Sequence, residues 1–272
     1  MKDIVTKRIY AKINLCLAIK GICEDMHIID TVVTNIGVFD EITVKKRNDD
    51  QILISYDNLK ERIENDTAEK AAKLLQQEYS LKGADITIKK NIPFSAGLGG
   101  SSADSAGVAK CMEELYGLRL KKEILLKMGS DVPYMYQGGM KRIRGLGETI
   151  HEVSLPPLKY AVLVCPGGMN TKEAYELYDK IGGDNPDVDE FLENINSGRP
   201  YILYNALQKA AIRLNPNIKT GLKMLKQSGF SSVVMTGSGS AVIGVEQDEK
   251  KFLENAEMLK RIINNDYKLL LT

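Results

Sequence analysis

Ile88-Lys-Lys-Asn-Ile-Pro-Phe-Ser-Ala-Gly-Leu-Gly-Gly-Ser-Ser-Ala-Asp-Ser-Ala106 is the stretch on which the reading of this chain turns. The alternation from Ala84 to Lys89 reads as a strand that runs into it. Gly97, Gly99 and Gly100 let backbone N–H groups approach an anion with no Cβ in the way. Ser101 and Ser102 follow, and Ala103 to Leu115 reads as a helix. A helix N-terminus presents unpaired N–H donors and partial positive charge, and Ser101 and Ser102 add hydroxyls for a phosphate or its Mg²⁺. The chain contains neither Gly-x-x-x-x-Gly-Lys-[Ser/Thr] nor Gly-x-Gly-x-x-Gly, so the loop is not of the two commonest nucleotide-binding kinds. Taken alone, it is equally a glycine-rich helix entry capped by serines.

Upstream, Ile9, Ala11, Ile13, Leu15, Leu17 and Ile19 recur at period two and predict a strand. Ile28 to Val44 is a second β-rich run, expected to break near Gly37 and Asp40, and Gln51 to Ser55 is a third. Thr67 to Tyr79 has helical periodicity, with Asp66 as N-cap and Glu69 three positions on. Downstream, Gly129-Ser-Asp-Val-Pro133 reads as a loop, and Leu155-Pro-Pro157 as a junction between domains 1–154 and 155–272. Tyr160 to Cys165 is a strand candidate, Gly182 to Pro186 a loop and Ile218 to Lys226 a helix. Ser232–Met235 and Ala241–Val245 predict two strands around Met235-Thr-Gly-Ser-Gly-Ser240, for which a hairpin is the plain reading. Lys251 to Ile263 is a final amphipathic helix. Strands and helices mixed without strict alternation predict an α+β fold.

Composition narrows the function classes. The 272 residues carry a net charge of +1, so no bulk field points to nucleic acid or an anionic membrane. The short basic run Lys45-Lys-Arg47 reads as a solvated strand end. Cys16, Cys23, Cys111 and Cys165 are widely spaced and predict free thiols in a reducing compartment. His27 and His151 have no partner at ligand spacing, so a side-chain metal cage is not expected. No apolar run approaches the length of a membrane span, and the opening Met1-Lys-Asp-Ile-Val-Thr-Lys-Arg8 has no signal-type apolar core, so a cytoplasmic location is expected.

The blocks Ala11-Lys-Ile-Asn-Leu15, Pro93 to Ser102, Gly129-Ser-Asp-Val-Pro133, Gly138-Gly139, Gly145-Leu-Gly-Glu148, Leu155-Pro-Pro157 with Pro166 and Thr171, and Met235 to Ser240 occur in one order over nearly the whole chain. In that order they resemble the GHMP kinase family, which phosphorylates small-molecule hydroxyls with ATP. Within it they most resemble the members acting on a cytidine diphosphate-linked methylerythritol in non-mevalonate isoprenoid synthesis. The resemblance implies a two-domain fold, ribosomal S5 domain 2-like and then ferredoxin-like. It implies Lys12 and Asp131 as catalytic pair, and ATP held by Pro93, Ala96, Gly97, Leu98, Gly99, Gly100, Ser101 and Ser102, with Asn65 on the adenine side. It further implies Asn14, His27, Thr171, Gly237, Ser238 and Gly239 on the substrate side, and Mg²⁺ arriving with ATP near Ser101. A small-molecule substrate, no nucleic acid, no membrane and a monomer or homodimer complete the expectation.

The chain departs from its nearest kin in several places. Asp25-Met26-His27 stands where they carry a tyrosine before the histidine, the loop is one glycine short, the approach to Asp131 is shorter, and Ala206 follows Asn205 where they carry aspartate. A kinase for another small alcohol, or an ATP-binding sensor on the same fold, are the alternatives.

Overall fold

The structure is a computed structural model describing residues 2–58, 64–185 and 187–272. In chain order the elements are β1 (Ile4–Cys23), β2 (Met26–Lys46), β3 (Ile52–Tyr56), α1 (Thr67–Tyr79), β4 (Ala84–Lys89), α2 (Gly100–Tyr116), α3 (Lys122–Met128) and α4 (Val132–Gln137). There follow β5 (Lys141–Gly145), β6 (Thr149–Glu152), β7 (Lys159–Val164), α5 (Thr171–Ile181), α6 (Val188–Asn196), β8 (Tyr204–Asn205), α7 (Gln208–Leu214), α8 (Asn217–Gln227), β9 (Ser232–Met235), β10 (Ala241–Glu246), α9 (Glu249–Ile262) and β11 (Lys268–Leu271). They form two compact units: Met1–Ala11, Val38–Ile92 and Gly99–Gly138 in one, Lys12–Gly37, Pro93–Leu98 and Gly139–Thr272 in the other.

In the first unit the later part of β2 pairs antiparallel with β4, which pairs parallel with β3. Ile42, Val44, Ile86 and Ile88 from these strands are buried, as are Ala71, Ala72 and Leu75 of α1 and Val108 and Met112 of α2. A Cβ on Gly107 would stand 2.6 Å from Cδ1 of Ile42, so glycine is what lets α2 lie this close to β2. Asp66 caps α1 as expected, accepting from the N–H groups of Ala68 and Glu69, while the Glu69 carboxylate pairs with Lys73.

Two expectations fail here. β2 runs unbroken through Gly37 and Asp40. The Asp40 side chain turns inward, where the N–H groups of Asn91 and Ile92 and the Lys90 ammonium satisfy it without interrupting the ladder. The helix after the glycines starts at Gly100 rather than Ala103, because Gly99 takes the left-handed cap conformation, with φ 76°.

In the second unit the order β11-β7-β10-β9 is antiparallel throughout. With helices between β7 and β9 and α9 between β10 and β11, this is the split βαβ arrangement of a ferredoxin-like layer. Its core gathers Leu163, Leu225, Phe230, Met235, Val242 and Phe252 with Leu17 and Ile19 of β1. β1 pairs parallel with β8, and β2 pairs antiparallel with β5, which forms a hairpin with β6. The predicted strands β7, β9 and β10 and helices α8 and α9 appear within two residues of their expected bounds. Of the expected loop Gly182–Pro186, Gly182 to Asn185 lies outside helix and strand, and Pro186 lies outside the described residues. The four cysteines are free.

Candidate functional site

Period-two alternation puts Lys12 and Asn14 on one face of β1. Lys12 is 7% exposed, so it is not the solvated strand lysine that its residue type alone suggests. Its ammonium donates to Oδ1 of Asn14 at 2.9 Å. The Asn14 amide is oriented in turn: its Nδ2 donates to the Thr31 hydroxyl at 2.8 Å, and that hydroxyl donates to the Cys16 carbonyl at 2.5 Å. A buried amide held at both ends keeps its oxygen toward the lysine.

The first half of the glycine loop lies against the second glycine turn. The Lys12 N–H donates to the Leu98 carbonyl at 3.0 Å. The Ala241 N–H donates to the Ala96 carbonyl at 3.1 Å, and the Ser240 and Met169 N–H groups both reach the Ser95 carbonyl. A Cβ on Gly97, whose φ is +75°, would fall 2.5 Å from the Thr236 carbonyl oxygen. Only glycine allows the two backbones to pass at this distance. The turn is a hairpin between β9 and β10, as its plain reading has it. Asn205 pins it, since Nδ2 donates to the carbonyls of Met235 and Gly237 at 2.8 and 2.7 Å while Oδ1 accepts from the Leu207 N–H. Of the expected substrate-side residues, Thr171 opens α5 and its hydroxyl is 2.8 Å from that of Ser238, in the same turn as Gly237 and Gly239.

His27 stands on β2 just past its start. Its Nε2 is 2.7 Å from Oδ1 of Asp179, and its ring lies 4.5 Å from that of Tyr175, both on α5. Met26 beside it is exposed. The aromatic next to His27 therefore comes from α5, which sequence adjacency did not reveal.

The second half of the loop opens α2 in the first unit. Gly99 caps the helix without a side-chain hydrogen bond, and Ser101 is exposed on its first turn. The Ser101 carbonyl accepts from the hydroxyls of Thr67 and Ser105, which fixes the turn from below. Beneath it lies Lys90, whose ammonium donates to Asp40 at 2.5 Å, to Asp104 at 2.6 Å and to the Gly100 carbonyl at 3.4 Å. Burial pushes the Asp104 carboxyl up to about 7, with Lys90 pulling the other way and Asp40 adding to the rise. Asp131 is half-buried and sits at the N-cap position of α4, so the expected loop ends in a short helix opened by Val132-Pro133. Asn65 is exposed, in a left-handed conformation with φ 55° before the Asp66 cap.

Sequence reasoning missed Thr31, Thr236, Asn205 and the Lys90 cluster. Thr236 lay inside a quoted block and Asn205 beside a noted departure, but nothing local marks a polar side chain that will be buried by distant chain.

The chain matches the GHMP kinases N terminal domain over residues 66–141 and the GHMP kinases C terminal domain over 179–261. It is 35% identical over 255 residues to a 4-diphosphocytidyl-2-C-methyl-D-erythritol kinase of Clostridium beijerinckii, covering 89% of this chain and 91% of that enzyme. With the enzyme of the same name from Clostridium tetani it shares 36% over 250 residues, 86% of this chain and 88% of that one. A crystal structure of 4-(cytidine 5'-diphospho)-2C-methyl-D-erythritol kinase superimposes with a TM-score of 0.78 at 27% identity, covering 98% of each chain. The ordered blocks, the ferredoxin-like layer and these matches from end to end agree, and the chain belongs to the GHMP kinase family.

Proposed function

We propose that this kinase phosphorylates 4-diphosphocytidyl-2-C-methyl-D-erythritol to its 2-phosphate with ATP, in the cytoplasm, as a monomer or homodimer. The observation that carries the reading is the 35% identity with the Clostridium beijerinckii enzyme over 89% of this chain. The proline junction Leu155-Pro-Pro157 is kept as the boundary between domains 1–154 and 155–272, and it falls between the two family matches.

Phosphoryl transfer asks a protein for alignment and charge neutralisation more than for covalent chemistry. The N–H groups opening α2, with Pro93 and Ala96 to Ser102, hold the phosphates, and Asn65 lies on the adenine side. Asp131 orients the substrate hydroxyl and accepts its proton, and the Lys12 ammonium, aimed by Asn14, stabilises the oxygen as charge develops. Asn14, His27, Thr171, Gly237, Ser238 and Gly239 face the substrate, with His27 and Tyr175 toward the cytosine. Ser101, exposed on the first turn of α2, offers a hard hydroxyl oxygen that would hold a Mg²⁺ arriving with ATP, and the ion would supply charge neutralisation at the phosphates.

An ADP-release assay tests the reading. Turnover with the cytidine diphosphate-linked substrate and none with other small alcohols is expected; turnover with a different alcohol alone would overturn the substrate, and ATP binding without any turnover would make the chain a sensor. The second reading, another alcohol, draws on exposed Met26 and on the engagement of His27 by Asp179.

A further inference from the structure

Two carboxylates share one ammonium under the first turn of α2. Asp40 is 0% exposed and Asp104 4%, and Lys90 reaches one oxygen of each. Among the described residues one cation balances only one of them, so with both ionised this cluster holds a net negative charge away from water. That charge sits at the turn whose Gly100 carbonyl Lys90 also grips.

The two acids are not equivalent. The other oxygen of Asp40 accepts from the N–H groups of Asn91 and Ile92 at 2.6 and 2.8 Å, so both of its oxygens are engaged. Asp104 has Lys90 on Oδ2 alone, and its buried Oδ1 has no hydrogen-bond partner. A proton entering the cluster therefore goes to Oδ1 of Asp104. Among the described residues the facing ionisable groups are Lys90 beyond β4, Asp40 on β2 and Tyr56 on β3, whose hydroxyl donates to Asp66 at the cap of α1, and none of these supplies a second cation.

We propose that Asp104 is a proton-linked positioning residue for the nucleotide: as phosphates settle on the first turn of α2, one proton from solvent binds Oδ1 of Asp104 and leaves the Lys90–Asp40 pair neutral beneath them. The inference rests on the ATP reading above. An anion brought to the helix N-terminus raises the cost of the buried negative charge, so binding and protonation favour each other. Burial already raises the Asp104 carboxyl well above the usual carboxylate range, and Asp40 adds to the rise against the pull of Lys90.

The test is calorimetric titration of the whole chain with a non-hydrolysable ATP analogue, in buffers of different ionisation heat, from pH 6 to 9. Wild type is expected to take up more protons than Asp104→Asn, by up to about one, and to lose up to about tenfold in affinity per pH unit above neutrality, a slope the variant lacks. The phosphate's own titration is common to both and cancels. Equal uptake in both proteins overturns the linkage while leaving nucleotide binding intact; no binding at any pH overturns the ATP reading itself and the linkage with it. If Asp104→Asn does not fold, Asp40→Asn reports instead. Removing the neighbouring carboxylate shifts the uptake window toward acid, and an unmoved window overturns the proposal.

Discussion

The backbone N–H of Asn14 donates to the hydroxyl oxygen of Thr236 at 2.7 Å, across 222 positions of sequence. This bond joins the strand that carries Lys12 to the glycine turn that Asn205 pins. Thr236→Val keeps the shape and removes the acceptor, leaving a buried N–H unsatisfied. Urea denaturation is expected to show a loss of about 1–3 kcal/mol, with Thr236→Ser recovering most of it.

Lys12→Met removes the proposed charge stabiliser and keeps much of the stem's volume. Steady-state kinetics should show kcat lower by roughly 10²–10³-fold with ATP affinity little changed. Asp131→Asn should lower kcat by roughly 10²–10⁴-fold, the range for a positioned general base. A fall in KM-related binding alone, with kcat intact, would remove either residue from the chemistry.

Gly97→Ala meets two obstacles, a φ of +75° and a carbonyl oxygen 2.5 Å from the new Cβ. The left-handed conformation alone costs about 1–2 kcal/mol. Thermal unfolding should show at least that loss, and ATP affinity should fall as the loop leaves the Thr236 carbonyl.

Asn205→Ala withdraws both donations to Met235 and Gly237. About 1–3 kcal/mol of stability should go, read from the urea midpoint. Asn205→Asp should restore little, because a carboxylate cannot donate to either carbonyl.

Asp104 also sets a stability trend with pH. Burial raises its folded value from 3.8 to about 7, so between those limits the folded chain binds the extra proton. The contribution of this group to stability is then greatest at the acid end and falls as pH rises toward 7, levelling above it. In Asp104→Asn the urea midpoint should vary less between pH 5 and 7 than in wild type.

Much of this was legible along the chain. The period-two runs of β1 and β4, the continuous apolar runs of β7 and β10 and the capped helix α1 follow from local apolar pattern and an aspartate before an apolar stripe. The glycines of the two loops marked where backbone must pass close to something. Short α3, α4 and α7, two-residue β8 and edge strand β11 carry too little periodicity to announce themselves, whereas α5 and α6 are amphipathic and were passed over. β2 was misjudged at Asp40 because its inward aspartate is satisfied by residues some fifty positions away.

What the sequence by itself determined is the set of parts: an α+β chain of the GHMP kinases, with a lysine on the first strand, a glycine-serine helix entry and a glycine hairpin, all in order. Only the tertiary structure decided that Lys12 is buried against Asn14, that Gly97 abuts Thr236, that an α5 tyrosine lies beside His27, and that one ammonium lies between Asp40 and Asp104. Spacing along the chain sets which face a side chain takes, but burial and hydrogen-bond partners are set by segments tens to hundreds of residues apart, and those determine which polar groups stay charged.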